Sequence, residues 1–241
     1  LTFHVKRGSD DPPPGGSFAF PDAVQAVVPW LAQARDLGFL GPGPLEPQLA
    51  HAVGFAQAAG SVPARFVDLG TGGGLPGLVL VALWPKTAGV LLDSNLRRTE
   101  FVAEAVTALG WSARVEVRRA RAEEAGRFPA LRAGADLVVS RGFGPPPVVA
   151  ECAAPLLAVG GLLVVSEPPE DTAQAGRWPP DPLARLGLTP DGSVEAASGR
   201  FQRLRQEILC PDAYPRRVGI PAKRPLWCVS RETSANDAGN A

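Results

Sequence analysis

Val67-Asp68-Leu69-Gly70-Thr71-Gly72-Gly73-Gly74-Leu75-Pro76-Gly77 carries a short apolar run straight into a cluster of glycines. Glycines at the end of a first strand permit a tight turn, and the backbone can then approach a nucleotide-like ligand beside a helix N-terminus. Two registers fit. Gly70, Gly72 and Gly74 give G-x-G-x-G, whereas Gly72, Gly74 and Gly77 satisfy the dinucleotide pattern G-x-G-x-x-G. The glycines alone leave that choice open.

Asp68 does most to separate the registers. A carboxylate at the tip of the first strand repels a pyrophosphate and attracts a cation. S-adenosylmethionine carries an ammonium and a sulfonium and no phosphate, so its binding is favoured by an acid that a dinucleotide site would avoid. An aspartate that merely satisfies loop amides is the plainer alternative. Leu91-Leu92-Asp93 then places a second acid 23 residues beyond Gly70, near the spacing of about 20 expected for a ribose-binding carboxylate. Asp93-Ser94 also suits the cap of a helix starting near Leu96. The joint spacing with the glycine loop favours the ribose.

Around this loop, strand and helix signals alternate. Strands are predicted at Arg65–Leu69, Gly89–Leu92, Val115–Arg118, Ala135–Val139 and Leu162–Ser166, and helices at Leu75–Leu83, Leu96–Leu109 and Pro147–Ala158. Such alternation implies an α/β protein whose parallel sheet is covered on both faces. Upstream, Val24, Val27, Val28, Leu31 and Ala34 recur at helical spacing between Pro21 and Gly38, and a second helix is read at Gln48–Ala59. Residues 21–60 thus form an N-terminal helical cap ahead of a main domain at 61–231. The run Asp10 to Gly16, D-D-P-P-P-G-G, cannot hold a helix or central strand, so residues 1–20 are expected to be a disordered leader and 232–241 a disordered tail. Pro168–Pro182 reads as a loop over the sheet's active edge. Phe201–Cys210 and Leu226–Ser230 read as two final strands joined by an arginine- and proline-rich connector.

With 241 residues, 45% hydrophobic and 20% charged, the chain suits one substantial domain with additions. No apolar run approaches the roughly 20 residues of a membrane-spanning helix and no secretory signal is evident, so a soluble cytoplasmic protein is expected. Cys152, Cys210 and Cys228 lie far apart without C-x-x-C; they read as packed thiols, and no metal is expected. A net charge of zero argues against gripping nucleic acid over the whole surface but leaves room for a local basic face. Of the basic residues only Lys6, Lys86 and Lys223 are lysines. Arginine's planar fork suits phosphate, although composition bias is the simpler explanation in a chain so rich in alanine, glycine and proline.

The motifs D-L-G-T-G-G-G-L-P-G, L-L-D-S-N-L-R-R-T-E-F, R-A-E-E, V-V-S-R-G-F and Y-P-R-R-V-G-I-P-A-K-R-P-L, in that order between Phe66 and Leu226, resemble the bacterial RsmG family, also called glucose-inhibited division protein B. The first motif is shared by many methyltransferases; the proline after the third glycine, D-S-x-x-x-R and P-R-R-x-G-x-P are more selective. The resemblance implies a class I S-adenosylmethionine-dependent methyltransferase (Rossmann-like) fold, with a seven-stranded, mainly parallel sheet and the N-terminal helical cap. It implies methylation of a guanine N7 in 16S ribosomal RNA, with the RNA or the small ribosomal subunit as partner and S-adenosylmethionine as cofactor. It places Asp68, Gly70, Thr71, Gly72 and Gly74 around that cofactor, Asp93 and Ser94 at its ribose, and Ala122 and Glu123 beside its adenine. Arg141 would stand at the mouth where the methyl group meets its acceptor, as the catalytic candidate.

The chain also departs from the family. The upstream W-N-x-x-N-L-T segment is missing, His51 is followed by Ala52-Val53-Gly54, Gly142-Phe143 replaces alanine-valine, and Pro145-Pro146-Pro147 follows. A lysine usual after the fifth strand is here Glu167. These changes fall around the acceptor side.

From Arg200 to Arg231 eight basic residues face only Glu207 and Asp212. Arg216, Arg217, Lys223 and Arg224, with Tyr214 nearby for stacking, form a candidate RNA contact to which Arg97 and Arg98 would add. An amine-methylating [DN]-P-P-[YF] motif is absent, its place being held by Ser140-Arg141-Gly142-Phe143, and Cys152 falls inside a helix where a thiolate nucleophile is disfavoured. A small-molecule methyltransferase, a silent cofactor- or RNA-binding protein and a nicotinamide dehydrogenase remain as rivals.

Overall fold

The computed structural model describes residues 21–168, 176–196 and 198–229. The expected leader 1–20, the tail 232–241 and much of the expected loop 168–182 lie outside them.

The strands behave as the alternation requires. β1 (Arg65–Leu69), β2 (Ala88–Asp93), β3 (Val115–Arg119), β4 (Ala135–Ser140) and β5 (Leu157–Glu167) pair in parallel, and β6 (Leu188–Ala196) and β7 (Gly199–Gln206) add an antiparallel hairpin. The seven strands run in the order β3-β2-β1-β4-β5-β7-β6. Side chains of successive residues face opposite sides of a sheet. Phe66, Leu137, Val139, Leu162 and Val164 accordingly enter one buried cluster, while Val67, Leu69, Val138, Leu163 and Val165 enter the other.

The first cluster is closed by α1 (Asp22–Gln25), α2 (Val28–Asp36), α3 (Leu45–Ala59), α4 (Gly77–Leu83) and α5 (Leu96–Ala108). The single helix expected from Pro21 is two. Pro29 has no N–H to continue a helix, so the chain restarts with it in the first turn of α2. α3 begins at Leu45, three residues before the expected Gln48, and ends at Gly60 with φ +74°.

The second cluster is covered by α6 (Ala122–Ala125), α7 (Pro146–Ala153) and α8 (Pro180–Ala184), with Tyr214, Leu226 and Trp227 packed against it and α9 (Ile220–Lys223) lying against α7. The helix expected over Pro147–Ala158 stops at Ala153. Pro155 turns the chain through a 3₁₀ segment, Ala154–Leu156, and β5 starts at Leu157.

Two expectations for the sheet's end are corrected. The strand expected at Phe201–Cys210 is β7, which ends at Gln206, and the one expected at Leu226–Ser230 gives way to β6, since residues 226–229 form no strand. β6 holds Pro190-Asp191-Gly192, which reads as a turn. It is tolerated because β6 is an edge strand whose register shifts between Pro190 and Ser193.

Candidate functional site

The strand order reverses between β1 and β4, the place where open α/β sheets hold ligands beyond the strands' carboxyl ends. The glycine loop leaves β1 at that point. Gly70, Gly72 and Gly74 have φ of +81°, +57° and +102°, a region that side chains rarely enter. The loop is tied down: the amides of Gly70 and Thr71 both donate to Leu92 O at 2.9 Å. Gly77 serves differently. A Cβ there would lie 2.5 Å from Asp68 Oδ2, so it admits the helix against β1 and leaves the three left-handed glycines as one set.

Asp68 faces α4 and is wholly buried. Its Oδ2 accepts the Gly77 amide at 2.8 Å, but its Oδ1 has no hydrogen-bond partner. Satisfying a loop amide therefore accounts for half of this carboxylate. Burial pushes its pKa up to about 7. Arg141 Nη1 is buried without a partner as well, and the Thr71 hydroxyl, also buried, has no well-aligned partner but lies close enough to Asp68 to draw its pKa down against the effect of burial. Unpaired buried polar atoms are rare enough to need a reason, and an absent ligand is one. An acceptor, a hydroxyl and a guanidinium donor together complement a zwitterionic amino-acid group; Asp68 opposes a pyrophosphate.

Asp93 ends β2 beside the loop. Its Oδ2 accepts the Gly72 amide at 3.0 Å and its Oδ1 the Asn95 amide at 2.8 Å. The α5 cap is Asn95, whose side chain accepts the Arg98 amide, and Ser94 is exposed. Each carboxylate oxygen of Asp93 keeps a second lone pair for a ligand hydroxyl. Ala122 and Glu123 open α6 just beyond β3, where Ala120 N donates to Asp93 O. Glu123 is turned to the C-terminal connector: its Oε1 accepts the Gly219 amide at 2.9 Å.

Arg141 follows β4, half-buried and close enough to Asp68 and His51 for their charges to be felt. Burial lowers its pKa, and Asp68 works the other way. His51 packs on Phe55 and Phe201 with Nδ1 2.9 Å from Ser198 O, and burial lowers its pKa, which suits a neutral structural ring. Phe143 lies over the loop, for a Cβ on Gly70 would meet its ring at 2.7 Å. Beyond Phe143, between the ends of β4 and β5, is a cavity of about 260 Å³ lined by Glu167, Arg177 and Trp178 among others. A larger cavity of about 390 Å³ opens at the other end of the sheet, around Arg65, Ala88 and Val115, away from every residue of the loop. Burial raises the pKa of the Cys152 thiol far above its ordinary value, as expected for a packed group.

The proposed RNA contacts divide. Arg217, Lys223 and Arg224 are exposed. Arg216 is corrected: its guanidinium binds the fully buried Glu151, Nε to Oε1 at 2.8 Å and Nη2 to Oε2 at 2.6 Å, and its amide adds a third bond. It is a clamp. Arg132 donates to the carbonyls of Cys210 and Tyr214, and Arg127 to that of Pro215, so the connector is pinned along its length. Arg97 and Arg98 do not join this patch. Arg97 lies over Phe39 on the α1–α5 face, while the connector packs on the opposite face. Glu151 escaped the sequence reading, although a lone acid inside the apolar run V-V-A-E-C-A-A marks a buried pair.

Among the described residues no group of His, Cys, Asp and Glu could hold a metal ion, and no helix is long and apolar enough to cross a membrane. The strand order, the left-handed glycine loop and the acids ending β1 and β2 define a class I S-adenosylmethionine-dependent methyltransferase. Cofactor-bound Rv0187 from MTB shares this fold at 21% identity and a TM-score of 0.55, covering 76% of this chain and 91% of that one. A family model described as rRNA small subunit methyltransferase G (GidB) matches residues 48–174. Ribosomal RNA small subunit methyltransferase G of Synechococcus sp. strain RCC307 is 33% identical over 210 residues, covering 82% of this chain and 80% of its own. The protein of the same description from Synechococcus sp. strain CC9311 is 35% identical over 202 residues, with 82% and 75% covered. The chain belongs to the rRNA small subunit methyltransferase G family.

Proposed function

We propose that the protein methylates N7 of a guanine in 16S ribosomal RNA, with the small ribosomal subunit or its RNA as partner. The observation that carries this reading is the buried polar cluster of Asp68, Thr71 and Arg141, with Asp68 Oδ1 and Arg141 Nη1 left without partners, at the strand reversal in a chain of this family. S-adenosylmethionine supplies an electrophilic methyl group and is zwitterionic at its amino-acid end. Asp68 and Thr71 would hold its cationic side, Arg141 its carboxylate, and Asp93 its ribose. Gly70, Gly72 and Gly74 would let the backbone turn beneath it through their left-handed conformations, and Ala122 would border its adenine. Residues 61–231 would make up the methyltransferase domain and 21–60 its cap.

Guanine N7 already carries an in-plane lone pair and no proton, so the chain needs no general base. Its residues have only to orient and to exclude water, which can remove roughly 7 to 11 kcal/mol of barrier. Arg217, Lys223 and Arg224, all exposed, would meet phosphates. The test is labelled methyl transfer to small subunits from cells lacking the family enzyme, followed by chemical cleavage at N7-methylguanine. One modified guanine in 16S RNA is expected. Transfer to another base, to large subunits only, or to small molecules instead would refute the reading.

A further inference from the structure

Glu167 ends β5 at the cavity beyond Phe143 and is the one carboxylate among the described residues lining it. Its side chain is only 6% exposed. Two neighbours fix it: Arg177 Nε donates to Oε2 at 2.7 Å and Trp178 Nε1 to Oε1 at 3.0 Å. Each oxygen therefore keeps one lone pair. Trp178 is itself held from behind, its ring 6.5 Å from that of Trp227, whose Nε1 donates to Arg177 O. Phe143 joins the cavity to Gly70 of the glycine loop. The cavity is thus aromatic on two sides, acidic at one point and adjacent to the proposed methyl donor. Its volume, about 260 Å³, is below the roughly 300–1,000 Å³ of drug-sized sites and suits one planar base.

We propose that this cavity receives the acceptor base and that Glu167 reads it as guanine, an inference that rests on the function proposed above. Guanine is the base that presents two adjacent donors, N1–H and the N2 amine, on its Watson–Crick edge. A fixed carboxylate accepts both, and the Arg177 guanidinium beside it offers a donor to O6. Adenine and cytosine would turn a ring-nitrogen lone pair toward the same carboxylate, setting acceptor against acceptor at a side chain only 6% exposed. Reading an extruded base by its Watson–Crick edge between aromatic walls is a general solution for enzymes that modify bases. The far edge, with N7, stays clear for methylation. Glu167 stands where the resembling family has a lysine, so this reader belongs to this chain's own residues.

The experiment uses the full chain and small subunits reconstituted with guanine, inosine or 1-methylguanine at the methylated position. Inosine lacks the N2 amine and 1-methylguanine lacks the N1 proton. For the unmodified protein, kcat/KM should fall about ten-fold or more with each analogue, as expected for a lost bond to a charged acceptor. Equilibrium binding of the same subunits with S-adenosylhomocysteine present should fall in parallel. In Glu167→Gln, with its denaturation midpoint checked, the guanine-over-inosine ratio should collapse to within about two-fold. Equal use of guanine and both analogues by the unmodified protein, or full discrimination by folded Glu167→Gln, would overturn the assignment of Glu167 while leaving the activity standing. Absence of transfer to any subunit would instead overturn the proposed activity and this pocket with it.

Discussion

Asp68 is a carboxylate kept from water, given one amide and left with one empty oxygen. Burial holds its pKa near 7 rather than 3.8, so between those values the folded protein keeps a proton that the unfolded chain has released. Stability of the ligand-free protein should therefore decline as pH rises from about 4 to about 7 and level off above that. A cationic ligand prefers the ionised form, so affinity for S-adenosylmethionine should increase as pH passes upward through 7. Asp68→Asn should keep the Gly77 bond, flatten both profiles and weaken binding by about 1 to 3 kcal/mol. Calorimetry and thermal unfolding between pH 5 and 8 would check this; a wild-type affinity independent of pH would contradict it. The sequence placed this acid at the strand tip but could not show which lone pairs the fold consumes. The same gap explains Arg216, which lies among exposed cations in sequence and reaches a buried acid in space.

At the level of elements, the five parallel strands and the helices α4, α5 and α7 between them were legible because apolar periodicity is a local signal, whereas the single turn of α6 was too short to show one. β6 was not. An edge strand needs little apolar alternation, and a shift in register absorbs its proline and glycine. The C-terminal connector was read as basic, but its path depends on acids and arginines more than fifty residues away, Glu123, Arg127, Arg132 and Glu151. Two variants separate its structural and functional halves. Glu151→Gln leaves Arg216 facing a neutral amide; it should cost about 3 kcal/mol, the lower end for a broken buried pair, since Arg216 keeps 27% of its side chain exposed. Chemical denaturation would measure that loss, and an unchanged midpoint would contradict the clamp. Arg217→Glu should leave the midpoint alone, weaken binding to 16S RNA and lower its salt slope by about one contact. An unaltered salt slope would remove Arg217 from the RNA surface.

Taken as a whole molecule, the chain carries no net charge, and its cations are distributed with purpose: several pin the connector from inside, while Arg217, Lys223 and Arg224 remain at the surface. The proposed cradle for a charged methyl donor, at the β1–β4 reversal, adjoins a cavity at the ends of β4 and β5. The cradle is the foundation of every other assignment, because a site built for a pyrophosphate would make this a different enzyme. Side-by-side calorimetric titration of the full chain with S-adenosylhomocysteine and with NAD addresses it directly. One equivalent of S-adenosylhomocysteine should bind with measurable heat while NAD gives none; saturable binding of NAD with no response to S-adenosylhomocysteine would contradict the account.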